Sequence, residues 1–511
     1  MYEVATKETA KWSFQIPPEV PSADQVKEVI DCEAVVLGAG LAGLSAACRL
    51  KELGVDVVLL EKSDCYQGRG GHFGVPQSSL MEENGIHNDL QAIVRQWITM
   101  SGNNVDEELI WLFMHRSGEA MDWFIPKAKE DGLNIGLVDC TYPVAPYKEF
   151  LGAHFFRARG NYVSKAMYDS CVKNGVRVAF ETPASQLIKD ETGKVVGVYA
   201  TNKDGETVRV NAPLGVVVAT GDIGGDEEMC RAYAPDALRT LASQYVPVGC
   251  NTGDGHKMGL WAGAAMAEEV FPLMMHPQHY AWINLAFLFV NQKGKRFMNE
   301  DSYIQGRATQ FMRQPNGVAY SIIAADYNEH MKDVMNYGGG ILWGNAGLMY
   351  GKEWDEAQPP RDVQKALDTG MAYKADTLEE LAALIDVPAD QLVKTVNRFN
   401  ENCHLGVDRD FGKRKELLIP IEKGPFIAIK IGVALLEVVG GLSINTSMEV
   451  LDKEREPIEG LYAAGDCTGG MYGHEYVTTI LGNSHGRALT WGYIAAETIA
   501  AKKAGTFVRP E

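Results

Sequence analysis

Two apolar segments near the start of the chain flank a predicted helix. Residues 33–37 are typical of a buried strand, and the segment after them is predicted to form a helix through Leu53. A second apolar segment, residues 55–60, ends at the acid Glu61. This order favours a parallel pair of strands joined by a crossover helix.

The turn between the first strand and the helix is rich in glycine. Gly38 suits a tight turn, Gly40 lets a pyrophosphate approach the backbone, and Gly43 lets the helix pack on the strand. Glu61 falls where an acid bonds the ribose hydroxyls. Within about 30 residues the chain thus has a strand, the glycine-rich turn, a helix, a second strand and an acid, in that order. This order predicts a dinucleotide site. NAD and FAD satisfy this unit equally well.

Later segments indicate that this nucleotide domain is divided along the chain. Residues 195–201 and 207–210 are predicted strands around the hairpin turn 203–205, and residues 215–221 form a buried strand that ends at a glycine. Asp254 stands near the start of a helix predicted through Ala265, where a carboxylate receives backbone or cofactor donors.

The composition changes from about residue 271 to residue 437, with more aromatic residues and longer loops. Within this stretch Thr377 and Glu380 have the spacing of a capping box, and residues 388–403 carry apolar side chains at helical spacing. We interpret the stretch as a second, capping domain inserted into the first.

Composition and charge narrow the possible partners. The chain has 511 residues, 46% of them hydrophobic, and a formal net charge of −19, which disfavours nucleic acid and anionic membrane surfaces. The first 35 residues contain neither a secretion signal nor a twin-arginine motif, and no apolar run is long enough to span a bilayer, so a cytoplasmic location is expected. The nine cysteines form no Cys-x-x-Cys pair, and neither a haem, an iron–sulfur cluster nor another metal site is predicted.

The motifs together resemble the flavoprotein superfamily of fumarate reductase and succinate dehydrogenase, in its single-chain branch. The resemblance covers about residues 33–500 and rests on residues 38–61, 219–221, 252–255, 276–277, 294–300, 440–441 and 460–466. It implies an α/β fold, in which a Rossmann-like FAD domain of the GR2 class with two dinucleotide-binding segments carries an inserted α+β capping domain. The expected division is an N-terminal extension (1–32), the FAD domain (33–270 and 439–505) and the capping domain (271–438).

The same resemblance implies FAD as cofactor, with residues 460–466 closing its site. The residues expected to contact it are Gly38, Gly40, Ala42, Gly43, Glu61, Lys62, Gly70, Gly71, His72, Ala184, Ala219, Thr220, Gly221, Asp254, Gly465, Asp466, Asn483 and Ser484. His72 lies near the position where succinate dehydrogenases attach FAD covalently, while relatives with Asn or Ser there hold it without a covalent bond.

The substrate side departs from the fumarate reductase pattern. Ile304 stands where those enzymes place a proton-donating arginine, residues 478–483 lack a second arginine, and Glu437 replaces a histidine. Only His276 remains of the carboxylate-binding set. Because Glu437 would repel a dicarboxylate, fumarate is a poor candidate.

Residues 473–476, Gly-His-Glu-Tyr, resemble instead the active-site segment of 3-ketosteroid dehydrogenases. This resemblance implies that Tyr476 polarises a carbonyl, that hydride passes between the flavin and the β-carbon, and that Tyr303 or Arg307 handles the α-proton. We therefore expect the enzyme to reduce or form a carbon–carbon double bond beside a carbonyl in a neutral or cyclic small molecule, such as a ketosteroid or another cyclic enone. On this hypothesis replacement of Tyr476 by Phe abolishes turnover and leaves the flavin bound.

Two alternatives remain open at this point. One is a urocanate- or acrylate-type reductase in which His276 and Arg307 anchor the substrate. The other is an electron-transfer subunit whose own pocket is inert. No second nucleotide motif accompanies the first, so an external electron donor or acceptor is expected in each case.

Overall fold

The computed structural model describes residues 9–68, 71–140, 142–156, 162–243, 249–281, 283–285, 287–338, 340–342 and 350–509. Gly70, one of the predicted cofactor contacts, lies outside these ranges. The described strands are β1 (Val26–Asp31), β2 (Ala34–Leu37), β3 (Val57–Leu60), β4 (His72–Gly74), β5 (Ile135–Leu137), β6 (Ala153–Phe156), β7 (Arg177–Ala179), β8 (Ala184–Lys189), β9 (Val195–Thr201), β10 (Thr207–Asn211), β11 (Gly215–Val218), β12 (Ala242–Ser243), β13 (Leu273–His276), β14 (Ile283–Leu285), β15 (Leu288–Asn291), β16 (Val318–Ile323), β17 (Gly340–Leu342), β18 (Ala372–Ala375), β19 (Phe426–Gly432), β20 (Ala434–Val438), β21 (Glu449–Leu451) and β22 (Pro457–Ala463).

The described helices lie along the whole chain. They are α1 (Leu41–Glu52), α2 (Ser79–Glu83), α3 (Leu90–Met100), α4 (Glu107–Glu130), α5 (Tyr162–Lys173), α6 (Glu227–Tyr233), α7 (Asp254–Trp261), α8 (Ile304–Met312), α9 (Tyr327–Met335), α10 (Gln358–Asp368), α11 (Leu378–Leu384), α12 (Ala389–Leu405) and α13 (Asn483–Lys503).

The central sheet has the strand order β21-β22-β11-β2-β3-β7, and its strands are parallel except for β21. Every residue of β2, β3 and β11 is buried, as expected for parallel strands covered on both faces. The helices α1 and α13 pack against each other beside this sheet. The α/β fold and the β2–α1–β3 unit predicted from the sequence are thus confirmed.

A second sheet, β1-β10-β9-β8, contains the predicted hairpin, with β9 and β10 antiparallel. The edge strand β1 belongs to the predicted N-terminal extension and pairs in parallel with β10. The predicted helix at Asp254 begins as expected but ends at Trp261, because Gly263 adopts φ +96 and the Ala264 N–H returns to the Gly259 carbonyl.

Residues 271–438 form further sheets, one of which, β12-β20-β13, also includes the earlier strand β12. The largest, β15-β16-β19-β18, is antiparallel, and α11 and α12 pack beside it with the predicted capping box at Thr377. The chain enters and leaves this region through adjacent segments: the Ala267 N–H donates to the Gly441 carbonyl, and the Glu268 carboxylate accepts from the Gly441 and Gly470 N–H groups. Glu268 therefore joins three segments at the crossing.

Among the helices of the described ranges, none combines the length and the apolar character that crossing a bilayer requires.

Candidate active site

A cleft that encloses about 1070 Å³ of space, part of it open to solvent, runs along the carboxyl ends of the central strands. In an open α/β sheet this edge is where ligands bind. Its wall includes most of the residues predicted to contact FAD: Gly38, Gly40, Ala42, Glu61, Lys62, Ala184, Ala219, Thr220, Gly221, Asp254, Gly465, Asp466 and Ser484.

The glycines of the first turn have different surroundings. A Cβ atom on Gly43 would lie 1.9 Å from the Gly38 carbonyl oxygen, and one on Gly38 would lie 2.4 Å from the Ala219 carbonyl oxygen. A Cβ atom on Gly40 would meet no protein atom within 4 Å. Gly38 and Gly43 are therefore required by the fold, whereas Gly40 leaves space in the cleft at the N-terminus of α1, where an anion is favoured.

The acids of the cleft are bonded within the chain. The Glu61 carboxylate accepts from the N–H groups of Ala39 (2.7 Å) and Ser63 (2.8 Å). Lys62 donates to Asp254 at 2.9 Å and to the Thr252 hydroxyl at 2.8 Å. These contacts hold the acid after β3 and the start of α7 in place before any ligand arrives.

Ser484 joins two acids at another part of the cleft. Its hydroxyl donates to Glu437 at 2.7 Å and lies 3.3 Å from Asp466. Asp466 also accepts from the fully buried guanidinium of Arg487 at 2.7 Å. Sequence reasoning missed Arg487, although its position three residues after Ser484 places both on one face of α13.

Four other predicted cofactor contacts do not line the cleft. Gly43 packs inside the turn, and the Asn483 side chain donates to the carbonyls of Val477 (2.8 Å) and Ile480 (2.7 Å). Gly71 and His72 lie at β4, beside the cleft residue His485, whose Nδ1 is 3.0 Å from the His72 carbonyl oxygen. Their contact with the cofactor stays a prediction.

Strand β4 meets the N-terminus of α13 through glycines. The Gly74 N–H donates to the Gly482 carbonyl at 2.8 Å, and a Cβ on Gly486 would lie 2.0 Å from the Gly74 carbonyl oxygen. This close approach fixes the strand of His72 to the helix of Ser484.

Tyr476 is fully buried and is absent from the described wall of the cleft. Its hydroxyl accepts from the Ser484 N–H at 3.3 Å, and its ring packs on Tyr472 with 5.2 Å between centroids. Burial raises the pKa of Tyr476 well above its ordinary value. The Tyr303 ring lies 5.0 Å from that of Tyr147. The prediction that Tyr476 and Tyr303 flank the substrate stays a prediction.

His276 lies at the end of β13 and is buried beside Gln278 and His72. Burial lowers the pKa of His276, and likewise that of His72, to about 4. Both imidazoles are therefore neutral at pH 7 and can donate or accept a hydrogen bond without attracting an anion by charge.

Arg307 is fully buried on α8 and has no carboxylate partner in the described part of the chain. Its Nη2 donates to the Gly338 carbonyl at 3.0 Å, while Nε and Nη1 have no acceptor. The Tyr142 ring lies 5.8 Å from the guanidinium carbon, and the Tyr142 hydroxyl is also buried without a partner. Burial raises the pKa of Tyr142 to about 12.

Two buried glutamines, Gln305 on α8 and Gln278 two residues after His276, also carry donors without acceptors. Gln305 accepts from the Met275 N–H at 2.8 Å, and its Nε2 has no acceptor among the described residues. The Nε2 of Gln278 has none there either. We call Tyr142, Gln278, Gln305 and Arg307 the donor cluster.

Comparison with known proteins assigns the chain to a family. Residues 33–477 match the family described as "FAD binding domain". The chain belongs to this family. It is an FAD-dependent oxidoreductase that acts on carbon–carbon bonds, and the predicted resemblance to fumarate reductases is confirmed.

Similar curated proteins are the urocanate reductase of Eggerthella lenta and the vinyl phenol reductase of Lactiplantibacillus plantarum. The urocanate reductase is 29% identical, and the match covers 92% of this chain and 75% of the relative. The vinyl phenol reductase is 26% identical, and the match covers 90% of this chain and 94% of the relative.

Similar solved structures are a 3-ketosteroid Δ4-(5α)-dehydrogenase of Rhodococcus jostii and an open flavocytochrome c3 fumarate reductase. Their TM-scores are 0.70 and 0.69 at 23% and 22% identity. The aligned part is 94% of this chain for both, and 99% and 80% of the solved chains. These two structures confirm the predicted fold class.

Proposed function

We propose that this enzyme reduces the carbon–carbon double bond of an unsaturated monocarboxylate, and that Arg307 binds the carboxylate. The observation that carries the proposal is the buried guanidinium with two nitrogens that lack acceptors. A buried charge without a partner is costly, and a carboxylate supplies both the opposite charge and the acceptor oxygens that this guanidinium lacks.

Tyr142 suits the same ligand, because its ring lies 5.8 Å from the Arg307 guanidinium carbon. Its O–H is without an acceptor in the described chain. When bound and reduced by an external electron donor, the flavin would supply the hydride. As the β-carbon of the substrate gains that hydride, negative charge develops on the carboxylate oxygens, where these donors stabilise it. The α-carbon then takes its proton from Tyr142 or Arg307.

Glu437 disfavours a second carboxylate at the other end of the substrate. It lines the cleft and its carboxylate is buried beside that of Asp466, with Ser484 between them. A second carboxylate on the substrate would meet this negative charge, so a monocarboxylate is favoured over fumarate. The relatives named as reductases of urocanate and vinyl phenol support reduction as the direction.

A substrate panel with a chemically reduced dye as electron donor tests the proposal. We expect turnover of propenoate and its substituted analogues, and a kcat/KM at least tenfold lower for their methyl esters and for fumarate. Preference for the esters or for cyclic enones over the free acids would contradict the role of Arg307.

A neutral enone is the second candidate, favoured by the buried hydroxyl of Tyr476 next to Ser484. Tyr476→Phe separates the two candidates, because it removes this hydroxyl and leaves Arg307 intact. Under the enoate proposal the variant keeps turnover of propenoate within about fivefold, since one neutral hydrogen bond contributes about 1 kcal/mol. Loss of all turnover with flavin still bound would favour the enone.

A further inference from the structure

A fully buried arginine lies one contact away from the wall of the cofactor cleft. Arg487, on α13, donates through one Nη to Asp466 at 2.7 Å and through the other to the Thr468 carbonyl at 3.2 Å. Its Nε has no acceptor among the described residues. The Tyr472 ring lies 5.0 Å from the guanidinium carbon. These contacts from three neighbours hold the positive charge of Arg487 in one place.

Two carboxylates of the cleft wall lie within the electrostatic reach of this arginine. Asp466 pairs with Arg487 directly, and Glu437 is attracted to it. The Ser484 hydroxyl joins the two acids, at 2.7 Å from Glu437 and 3.3 Å from Asp466. The four residues thus combine two negative charges with one positive charge. We call them the charged cluster.

The charged cluster lies where the capping region borders the cleft. Within the described part of residues 271–438, only Glu437 lines the wall. The turn at Gly40 and the acid Glu61 mark the part of the cleft that suits the pyrophosphate and the ribose of a dinucleotide. A hydride passes only where the flavin ring meets the substrate, and the substrate is expected between the cofactor domain and the capping region. This favours the Glu437 side of the cleft for the ring.

A fixed charge near a flavin changes how readily the flavin accepts electrons. Uptake of two electrons and one proton leaves the ring with one negative charge more than before. A neighbouring cation stabilises this reduced form and a neighbouring carboxylate destabilises it. Both effects persist at physiological salt when the charges are buried, as those of Arg487 and Glu437 are.

We infer that Arg487 raises the reduction potential of the bound flavin and that Glu437 lowers it. With Arg487 present the charged cluster has a net charge of one negative unit, and without it the two carboxylates act on the ring unopposed. Arg487 acts through its charge and through Asp466, so it is a positioning residue. Its role is independent of the proposed carboxylate site at Arg307.

The first test measures the reduction potential without any substrate. Flavin-loaded protein is reduced stepwise by dithionite under anaerobic conditions beside a reference dye, and absorbance gives the ratio of reduced to oxidised flavin. At a fixed potential of the dye, Arg487→Gln is expected to lower this ratio at least tenfold, which for two electrons corresponds to about 30 mV. Arg487→Lys keeps the charge and should keep the ratio within about threefold. An unchanged ratio in Arg487→Gln would overturn the inference.

Arg116→Gln is the matched control. Arg116 is part-buried and pairs at 2.8 Å with Glu119 and with Glu497, which lies ten residues beyond Arg487 on α13, roughly 15 Å along the helix. Its loss should leave the ratio of reduced to oxidised flavin unchanged. An equal decrease in Arg116→Gln and Arg487→Gln would contradict a specific effect of the charged cluster.

Glu437→Gln tests the same inference in the opposite direction. It decides the question even if Arg487→Gln loads no flavin because Asp466 has lost this buried partner. The amide keeps an acceptor for Ser484 and removes one negative charge, so the ratio of reduced to oxidised flavin is expected to rise about threefold to tenfold. An unchanged or lower ratio would overturn the inference. Because no substrate is present, neither result depends on whether the enzyme reduces enoates.

Discussion

The cleft and the donor cluster differ in whether their polar side chains have partners within the chain. In the cleft Glu61, Asp254 and Asp466 all have partners within the chain. In the donor cluster Arg307, Gln305, Gln278 and Tyr142 keep donors without acceptors in the described part. The polar groups of the cleft are therefore satisfied within the chain, whereas those of the donor cluster are satisfied only when a ligand supplies oxygen atoms.

The largest effect is expected within the cleft itself, from Gly43→Ala compared with Gly40→Ala. A methyl group on Gly43 would lie 1.9 Å from the Gly38 carbonyl, and relief of this overlap costs about 3 kcal/mol or more. We expect Gly43→Ala to fail to fold or to lose many degrees in Tm. Gly40→Ala should fold normally and lose flavin, because its methyl group enters the cleft. Retention of full flavin by Gly43→Ala would contradict the packing role.

Arg307→Met and Arg296→Met compare a buried arginine that lacks a carboxylate partner with one that has two. Arg296 pairs with Glu300 at 2.7 Å and Asp408 at 2.8 Å, so its loss should destabilise the fold by about 3 to 5 kcal/mol. Arg307→Met removes a buried charge without such a partner and should leave the free energy of unfolding unchanged or higher.

The same Arg307→Met variant should reduce kcat/KM for enoates by about 10²- to 10³-fold, the range for loss of one charge-stabilising group. Denaturant unfolding of both variants measures the free energy of unfolding, and steady-state kinetics of both variants measures kcat/KM. A strong loss of stability in Arg307→Met would show that its nitrogens serve the fold and not a ligand.

A smaller effect is expected at Glu268, where the chain crosses to residues 271–438. Burial raises the pKa of Glu268 from its ordinary value of 4.5 to about 7. Between these values the unfolded chain ionises and the folded chain keeps the proton, so stability falls as the pH rises. The fall is on the order of 3 kcal/mol and is complete above pH 7.

Glu268→Gln should remove this fall, which the difference in unfolding free energy between wild type and variant measures from pH 4 to pH 8. The exposed Glu454→Gln should show no such difference. A constant offset between wild type and Glu268→Gln over the whole range would contradict the raised pKa.

The smallest effect is expected at the border of the two regions, from Glu437→Gln. The amide keeps a hydrogen-bond acceptor for Ser484 but removes one negative charge from the cleft. We expect kcat/KM for fumarate to rise about tenfold, with flavin content unchanged, since removal of one like charge at short range is worth about 1 kcal/mol or more. If the ratio of kcat/KM for fumarate to kcat/KM for propenoate is unchanged, Glu437 does not determine which substrate is used.

Sequence reasoning predicted the parts of the molecule that depend on neighbours along the chain. The glycines of the first turn, the hairpin of β9 and β10 and the capping box at Thr377 each follow from residues within a few positions. The pairing of β1 with β10 was not predicted, because its half-exposed residues lack a regular alternation.

The donor cluster was missed apart from Arg307. Tyr142 and Arg307 are 165 positions apart, and a glutamine in a helix gives no signal of a ligand site until its partners are known. The partnership of Asp466 with Arg487 was missed because the sequence shows the spacing on α13 but not which acid faces it. Domain boundaries, electron partner and cytoplasmic location stay predictions.

The close approach of Gly74 and Gly486 limits where this enzyme tolerates mutation. Neither position accepts a side chain without separating β4 from α13, so the strand that contains His72 and the helix that contains Ser484 cannot change position independently. The solvent-facing side of α3, which carries Arg95, Gln96 and Thr99, has no such constraint. A mutant library at these three positions should therefore contain many folded, flavin-loaded enzymes, and one at Gly74 and Gly486 almost none.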